Sequence, residues 1–220
     1  MRRAVLGAIA IICILGLVLS STVQAGALEK RSRIELRVGL SGLKSEKAQA
    51  TTTDVQVVSG KGGFLGGLAY SYWIRENVAL SLSASYLMAE SKTQTDLGAV
   101  YSHSVTIVPT VLSLRFYLHE SELKSAFRPF AEVGLGTFIG SVNEARAGEE
   151  VIQESMTQTS YGGYVGGGLD FQINHFLMVG TKAGYHLISD FSDQMGGRVN
   201  YSGPEMNVGV SFLFGKGVGE

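Results

Sequence analysis

The chain has 220 residues with a formal net charge of −1, and its mean hydropathy is +0.19. This length suits a single domain and leaves a soluble α/β or sandwich fold open, whereas the lack of a basic excess argues against a nucleic-acid partner. Glycine supplies 29 positions, about twice its usual share, and only 17% of residues are charged. The mean hydropathy is slightly high for a soluble enzyme.

Residues 1–25 are predicted to form a secretory signal peptide. They contain a positive start at 2–3, an apolar core at 4–19 and a small-residue cleavage pattern at 23–25. The alternative is a transmembrane anchor, but the sixteen residues of the core are fewer than the ~20 that a membrane helix needs. Since Cys13, the only cysteine, lies in this leader, we expect a mature chain without a disulfide.

Eight segments with alternating apolar and polar residues follow, as in half-buried β-strands. In the first segment, Ile34, Leu36 and Val38 alternate with Glu35 and Arg37. The segments cover about residues 34–41, 62–73, 78–88, 104–118, 128–140, 160–173, 176–188 and 206–214. Most of them approach or exceed the ~9–11 residues that cross a bilayer at the tilt of barrel strands.

The gaps between these segments alternate in length. Long gaps are predicted at about 43–61, 91–102, 141–159 and 189–202, and short gaps at 74–77, 119–127 and 174–175. An even number of antiparallel strands in which every other connection is short is typical of a transmembrane barrel with periplasmic turns and outer loops. We therefore predict that residues 26–220 form an all-β domain, an eight-stranded antiparallel up-and-down transmembrane barrel.

Two residue types interrupt the alternation. Pro109 lacks a ladder donor, so we expect it at a strand end, a bulge or a bend. Glycine runs at 62–63, 66–67 and 166–168 are expected to make room for large interior side chains, or for sharp curvature in a small barrel.

Six ionic residues fall on the polar face of the alternation: Glu35, Arg37, Arg115, Glu132, Asp170 and Lys182. In a membrane barrel the apolar face meets lipid and the polar face lines a narrow lumen, where an unpaired ion has little water around it. Because these three acids and three bases are balanced, we predict a salt-bridged interior. The alternative is that they are solvated on one face of a soluble sheet.

Four stretches carry a family resemblance. They are VPTVLSLRFYL at 108–118, RPFAEVGLG at 128–136, GGGLDF at 166–171 and VGVSFLF at 208–214. In their order and spacing these stretches resemble the outer-membrane β-barrel domain family, and in particular the small eight-stranded porin-like barrels related to the OmpA transmembrane domain. The resemblance implies an integral barrel in the outer membrane of a diderm bacterium, surrounded by membrane lipid and lipopolysaccharide.

The resemblance also implies a role for the last strand. Phe212 and Phe214 would belong to the C-terminal strand signal that the barrel-assembly machinery reads. The sequence departs from the family here, because residues 215–220 follow where many members end on the aromatic residue.

No catalytic, cofactor or metal site is predicted. The chain has four histidines: His103, His119, His175 and His186. No two of them have the i, i+4 helical spacing or the cysteine companions of a zinc site. The His-x-Ser motif by which lipid A deacylases of this barrel type resemble one another is absent. A palmitoyltransferase-like set at the outer rim is conceivable in principle, formed by His103, Ser104, His186 and Asp190.

We expect a non-enzymatic outer-membrane protein that supports envelope integrity or presents surface loops to partners. The alternatives are a narrow porin-like channel for small solutes and, behind it, a lipid A-modifying enzyme. Because the interior of an eight-stranded barrel is about filled by side chains, a wide aqueous pore is not expected. Loop bases could meet lipopolysaccharide phosphates or could simply be solvated: Lys44, Lys47, Lys61, Lys92, Arg146 and Arg198.

Overall fold

A computed structural model describes residues 28–42, 62–96, 99–118, 126–147, 151–196 and 198–216. The predicted signal peptide at 1–25 and the predicted loop at 43–61 lie outside these described residues. Within the described ranges, no helix is long and apolar enough to cross a membrane.

Eight strands form one closed antiparallel barrel in which each strand pairs with its neighbours in the chain. The strands are β1 (Ser32–Gly42), β2 (Gly62–Arg75), β3 (Val78–Asp96), β4 (Ala99–Tyr117), β5 (Phe127–Ala147), β6 (Val151–Gln172), β7 (Leu177–Ile188) and β8 (Gly203–Phe214). The barrel closes between β1 and β8, where Ile34 pairs with Phe212 and Val38 with Val208. The predicted all-β fold, an eight-stranded antiparallel up-and-down barrel, is confirmed.

Alternation along each strand produces the two surfaces of the barrel. In β8 the outward-facing Met206, Val208 and Val210 are exposed, whereas Glu205 and Asn207 are buried. A strand of 12 residues rises about 40 Å and, at a tilt of about 40°, spans about 30 Å, close to the thickness of the bilayer hydrocarbon. The sequence therefore places an apolar belt outside the barrel and polar residues inside it.

The two ends of the barrel differ in their connections. The connections from β2 to β3, β4 to β5 and β6 to β7 lie at one end, which we call the turn end. The connections from β1 to β2, β3 to β4, β5 to β6 and β7 to β8 lie at the opposite, loop end. At the loop end β3 to β6 extend well beyond the length that crosses a bilayer. In outer-membrane barrels such extensions lie outside and the turns face the periplasm, so the loop end faces outward.

Two of the predicted long loops are wrong. Residues 91–102 and 141–159 are strand for most of their length, because β3 and β4 meet across residues 97–98, and β5 and β6 across residues 148–150. These four strands have 19, 19, 21 and 22 residues, about twice what crosses a bilayer. Beyond the bilayer no lipid requires an apolar face, so the apolar–polar alternation of the sequence stops although the strand continues.

Pro109 lies inside β4, so of the strand end, bulge or bend expected from the sequence, the strand end is not found. The ladder between β3 and β4 has no pairing at Val108 or Pro109, although pairing continues on both sides. A β-bulge lies nearby, between Met88 and Glu90. The missing donor thus interrupts the ladder locally without ending the strand.

Candidate functional site: the barrel lumen

An apolar cluster, which we call the turn-end cluster, closes the lumen at the turn end. Its members are Leu28, Trp73, Ala79, Tyr117, Phe130, Met178 and Leu213. The rings of Trp73 and Tyr117 stack with their centroids 5.8 Å apart. Leu28 precedes β1, and a backbone hydrogen bond from Lys30 N to the Trp73 carbonyl holds this segment against β2. The chain that enters β1 therefore helps to close the periplasmic end.

A second apolar cluster, the loop-end cluster, closes the opposite end. Its members are Leu65, Leu87, Val105, Ile107, Val111, Phe138, Val142, Tyr164, Ile188, Phe191, Met195 and Tyr201. Phe191, Met195 and Tyr201 come from residues 189–202, the β7–β8 connection, which folds into the barrel mouth. Gly140 on β5 permits this approach, since a Cβ there would collide with the Met195 side chain.

Hydrogen bonds hold the β7–β8 connection, residues 189–202, in this position. The Tyr201 hydroxyl donates to the Met195 carbonyl within the connection. Gln158 Nε2 on β6 donates to Asp193 Oδ2 at 3.2 Å, and Asp193 N donates back to Gln158 Oε1 at 3.0 Å. This predicted loop therefore lies between β7 and β8 as expected, but it is a folded segment that seals the mouth.

Between the two clusters lies an ionic layer, which we call the lumen network. It contains four bases and four acids: Arg33, Arg37, Arg115, Lys182, Glu35, Glu132, Asp170 and Glu205. Every one of these residues is at most 6% exposed. The charges balance, as a buried ionic layer requires, because an unpaired ion would lose its hydration without compensation.

Asp170 anchors the lumen network at the turn end. Its Oδ2 atom lies 2.7 Å from Arg33 Nη1 and 3.5 Å from Arg115 Nη1. The same oxygen accepts a hydrogen bond from the Tyr117 hydroxyl at 2.8 Å. One carboxylate thus ties β1, β4 and β6 together across the lumen.

Glu35 and Glu132 occupy the middle of the network. Glu35 Oε2 lies 3.1 Å from Arg33 Nη2, and Glu35 Oε1 lies 3.3 Å from Arg37 Nε. Glu132 Oε2 lies 3.1 Å from Arg115 Nη2. Arg115 Nη2 also lies 3.6 Å from Glu35 Oε2, so this guanidinium joins the two carboxylates.

Lys182 extends the network toward the loop end. Its Nζ atom lies 3.6 Å from Glu132 Oε2 and 3.3 Å from Glu205 Oε1. Glu205 Oε2 lies 3.0 Å from His186 Nε2, and Asn207 Nδ2 donates to Glu205 Oε1 at 3.3 Å. The polar contacts therefore run without a break from the turn-end cluster to the base of the loop-end cluster.

Three cations of the network also contact aromatic rings of the apolar clusters. The pairs, with the distance from the cation to the ring centroid, are Arg33–Trp73 at 5.2 Å, Arg115–Phe130 at 4.3 Å and Lys182–Tyr164 at 4.3 Å. A cation over an aromatic face is attracted by the ring quadrupole, and more strongly where water is excluded. The ionic layer is thus stabilised at both of its boundaries.

Glycines on β6 and β7 make room for these rings. A Cβ at Gly166 or Gly184 would collide with the Tyr164 side chain, and a Cβ at Gly168 would collide with the Phe130 ring. The glycine run of β6 therefore accommodates large interior side chains, one of the two roles expected from the sequence.

The structure places all six ionic residues predicted for the interior inside the lumen network: Glu35, Arg37, Arg115, Glu132, Asp170 and Lys182. Sequence reasoning missed Arg33, Glu205 and His186. Arg33 lies on the same face of β1 as Glu35, and His186 lies on the same face of β7 as Lys182. Glu205 belongs to the buried face of β8. For Arg33 and Glu205 the signal is the strand alternation, extended past the apolar residues that defined each segment. His186 lies within the predicted segment 176–188, where its spacing from Lys182 places it on the lumen face and not at the outer rim.

The rim set considered for catalysis is not assembled by the side chains that the structure describes. His186 is buried in the lumen, whereas Asp190 is exposed and accepts a hydrogen bond from Asn200 Nδ2 at 2.7 Å. The side chain of His103 lies outside the described residues. Among the described residues, no three His, Cys, Asp or Glu side chains could together hold a metal ion.

The other residues singled out from the sequence lie at the surface, in the β7–β8 connection or outside the described residues. Phe212 and Phe214 are exposed on the lipid-facing surface of β8. Arg198 is half-buried in the β7–β8 connection. Lys44, Lys47 and Lys61 lie outside the described residues. Lys92 and Arg146 lie on described strands, but their side chains are not described.

Buried side chains pack the described lumen from one end to the other. Trp73 in the turn-end cluster, Arg115 in the lumen network and Phe138 in the loop-end cluster are each 0% exposed. Beside the loop-end half of the network lies a cavity about large enough for one water molecule. The arrangement can hold the barrel wall together through charge, but it offers little space for a solute.

Comparison with known proteins agrees with this architecture. Residues 11–214 match the model of the outer membrane protein beta-barrel domain family. The solved structure of the outer membrane protein OprG from Pseudomonas aeruginosa is similar, with 14% identity and a TM-score of 0.51. The match covers 89% of this chain and 100% of that chain. The solved structure of Neisserial surface protein A is also similar, with 11% identity and a TM-score of 0.51. The match covers 84% of this chain and 97% of that chain. At these identities the likeness shows the fold alone. No curated protein matches the chain.

Proposed function

The chain belongs to the outer membrane β-barrel domain family and lies in the outer membrane, and we propose that its barrel is a closed, non-enzymatic scaffold that supports the envelope and presents segments at the cell surface. In this proposal the barrel supplies stability and the outward-facing connections supply recognition.

The observation that carries the proposal is the packed lumen. An apolar cluster at each end and a balanced ionic layer between them leave side chains in contact along the whole interior. A hydrated ion would have to break contacts of Lys182 or Arg115 with their carboxylates, and each broken contact would weaken the pairing of charges that are buried away from water. This cost disfavours the alternative of a narrow channel.

The surface role is supported by the shape of the loop end. Strands β3 to β6 continue past the apolar belt, so their loop-end portions stand above the bilayer surface. The β7–β8 connection is folded, and its Ser192, Asp193 and Gln194 are exposed. A rigid segment loses little conformational entropy when it binds, which suits it to recognition. We include lipopolysaccharide among the proposed partners, with basic residues of the outer connections as its contacts.

Two further elements of the proposal concern the route to the membrane. We propose that residues 1–25 are removed as a signal peptide, and that Phe212 and Phe214 on β8 are read by the barrel-assembly machinery. The outward position of both phenylalanines on the closing strand leaves their rings accessible before insertion. Replacing both by serine should reduce the folded protein in the outer membrane, whereas serine at the outward-facing Leu187 on β7 serves as the control.

Two assays separate this proposal from its alternatives. Liposomes that contain the purified full-length protein should not swell in small sugars, in contrast to liposomes with a general porin. Lipid A from a host that expresses the protein should keep its mass. Swelling that disappears with Glu132→Gln would indicate a channel, and a lipid A mass change that is lost with His103→Ala would indicate an enzyme.

A further inference from the structure

The two ring nitrogens of His186 differ in their hydrogen bonding. Nε2 lies 3.0 Å from Glu205 Oε2, and an ionised carboxylate can only accept, so Nε2 carries a proton. In the neutral ring Nδ1 is then an acceptor. Nδ1 is buried and finds no donor among the described residues. Buried acceptors without a partner are rare, because burial removes the water that would otherwise satisfy them.

The cavity beside the lumen network is lined in part by His186. His186 and Glu205 line it together with Ser83, Ser85 and Tyr164. The Tyr164 hydroxyl is also buried and makes no hydrogen bond of normal geometry to the described residues. The two residues that carry these unpartnered buried atoms, His186 and Tyr164, therefore line the same water-sized space.

We propose that this cavity is a binding site for a single ordered water molecule, which donates a hydrogen bond to His186 Nδ1 and accepts one from the Tyr164 hydroxyl. Buried water occupies polar cavities of this size and typically makes two to four hydrogen bonds. The polar lining disfavours an apolar ligand. A cation is disfavoured because the Lys182 ammonium already lies between Glu132 and Glu205.

The bound water gives His186 a positioning role that reaches beyond the proposed scaffold function. The imidazole packs edge-on against Phe138 of the loop-end cluster, with 5.5 Å between ring centroids. With Nε2 bonded to Glu205 and Nδ1 bonded to the water, the ring is fixed in one tautomer and one orientation. The water thus connects the lumen network to the base of the loop-end cluster.

The test is magnetic resonance of the full-length protein in nanodiscs, with isotope-labelled histidine at mildly alkaline pH. The His186 ring should carry its proton on Nε2, show Nδ1 as a hydrogen-bonded acceptor, and receive magnetisation from a slowly exchanging water. Ser85→Val fills the cavity, so the water signal should be lost and Nδ1 should shift to the position of a free acceptor. Tyr164→Phe keeps the ring but removes one partner of the water, so the water should exchange at least several-fold faster.

Tyr161→Phe, on the lipid-facing side of the same strand, is the matched control and should leave the His186 signals unchanged. A proton on Nδ1 in the wild-type protein would overturn the proposal, as would a water signal that persists unchanged in Ser85→Val. Gel mobility without heating identifies any variant that does not fold, and in that case the wild-type spectrum alone decides.

Discussion

Arg115 on β4 and Glu132 on β5 are direct cross-strand partners, and their side chains form an ion pair with 3.1 Å between Nη2 and Oε2. Both residues are buried in the lumen. Because a shift of one residue between β4 and β5 would turn one partner toward lipid, the ion pair also favours the observed register.

Removing Glu132 tests the energetic role of the lumen network. Glu132→Ala should lower the free energy of unfolding by about 3 kcal/mol, because Arg115 and Lys182 each lose a partner in a site with little water. Urea titration followed by gel mobility measures the change. Glu76→Ala, in the exposed β2–β3 turn, is the control and should cost much less. Equal stability of Glu132→Ala and the wild type would contradict a salt-bridged interior.

The single tryptophan tests which face of the barrel points inward. Trp73 is 0% exposed inside the turn-end cluster, so its fluorescence should be quenched only weakly by brominated acyl chains. Tyr72, its neighbour, points outward and is 39% exposed. A protein with Trp73→Phe and Tyr72→Trp should therefore be strongly quenched. Strong quenching of the wild type would mean that the assignment of faces is reversed.

Gly140 tests the seal formed by the β7–β8 connection. Gly140→Val should displace Met195, because the added side chain would occupy the space of the Met195 thioether. We expect faster proteolysis within residues 192–194 in intact outer membranes, measured by mass spectrometry of the fragments. Gly163→Val adds the same volume on the lipid-facing side, where the nearest atom to a Cβ is 3.5 Å away, and should not change the cleavage rate.

A charge on the apolar belt tests the membrane assignment. Val210 faces outward on β8 and is 41% exposed. Val210→Arg should cost about 2–4 kcal/mol in a bilayer, measured by reversible unfolding in lipid vesicles. Val210→Leu keeps the surface apolar and should change stability by less than about 1 kcal/mol. Comparable stabilities of the Arg and Leu variants would indicate that this face meets water.

The central part of each strand could be predicted from the sequence because the bilayer imposes a strict pattern on it. In β1, Ile34, Leu36 and Val38 must face lipid, so Glu35 and Arg37 must face the lumen. The same alternation accounts for the six ionic residues that lie in the lumen network. Pairing partners inside that network depend on the register between strands, which a single sequence does not specify.

The ends of the strands could not be predicted, for two physical reasons. Above the bilayer the pattern is lost, so residues 91–102 and 141–159 resemble loops although they are mostly strand. The inner face of a strand also begins before its first apolar residue, which is why Arg33 and Glu205 were missed. The seal by residues 189–202 depends on Phe191 and Met195, whose contacts lie far away in the chain.

The measurement that bears most directly on a sealed lumen is ionic conductance of the full-length protein in planar lipid bilayers. Because both ends of the lumen are closed by buried side chains and the layer between them is ionic and paired, we expect no single-channel steps above the bare bilayer. A general porin in the same bilayers shows that steps can be detected. Reproducible steps from the wild-type protein, altered in size by Arg115→Met or Glu132→Gln, would contradict the account.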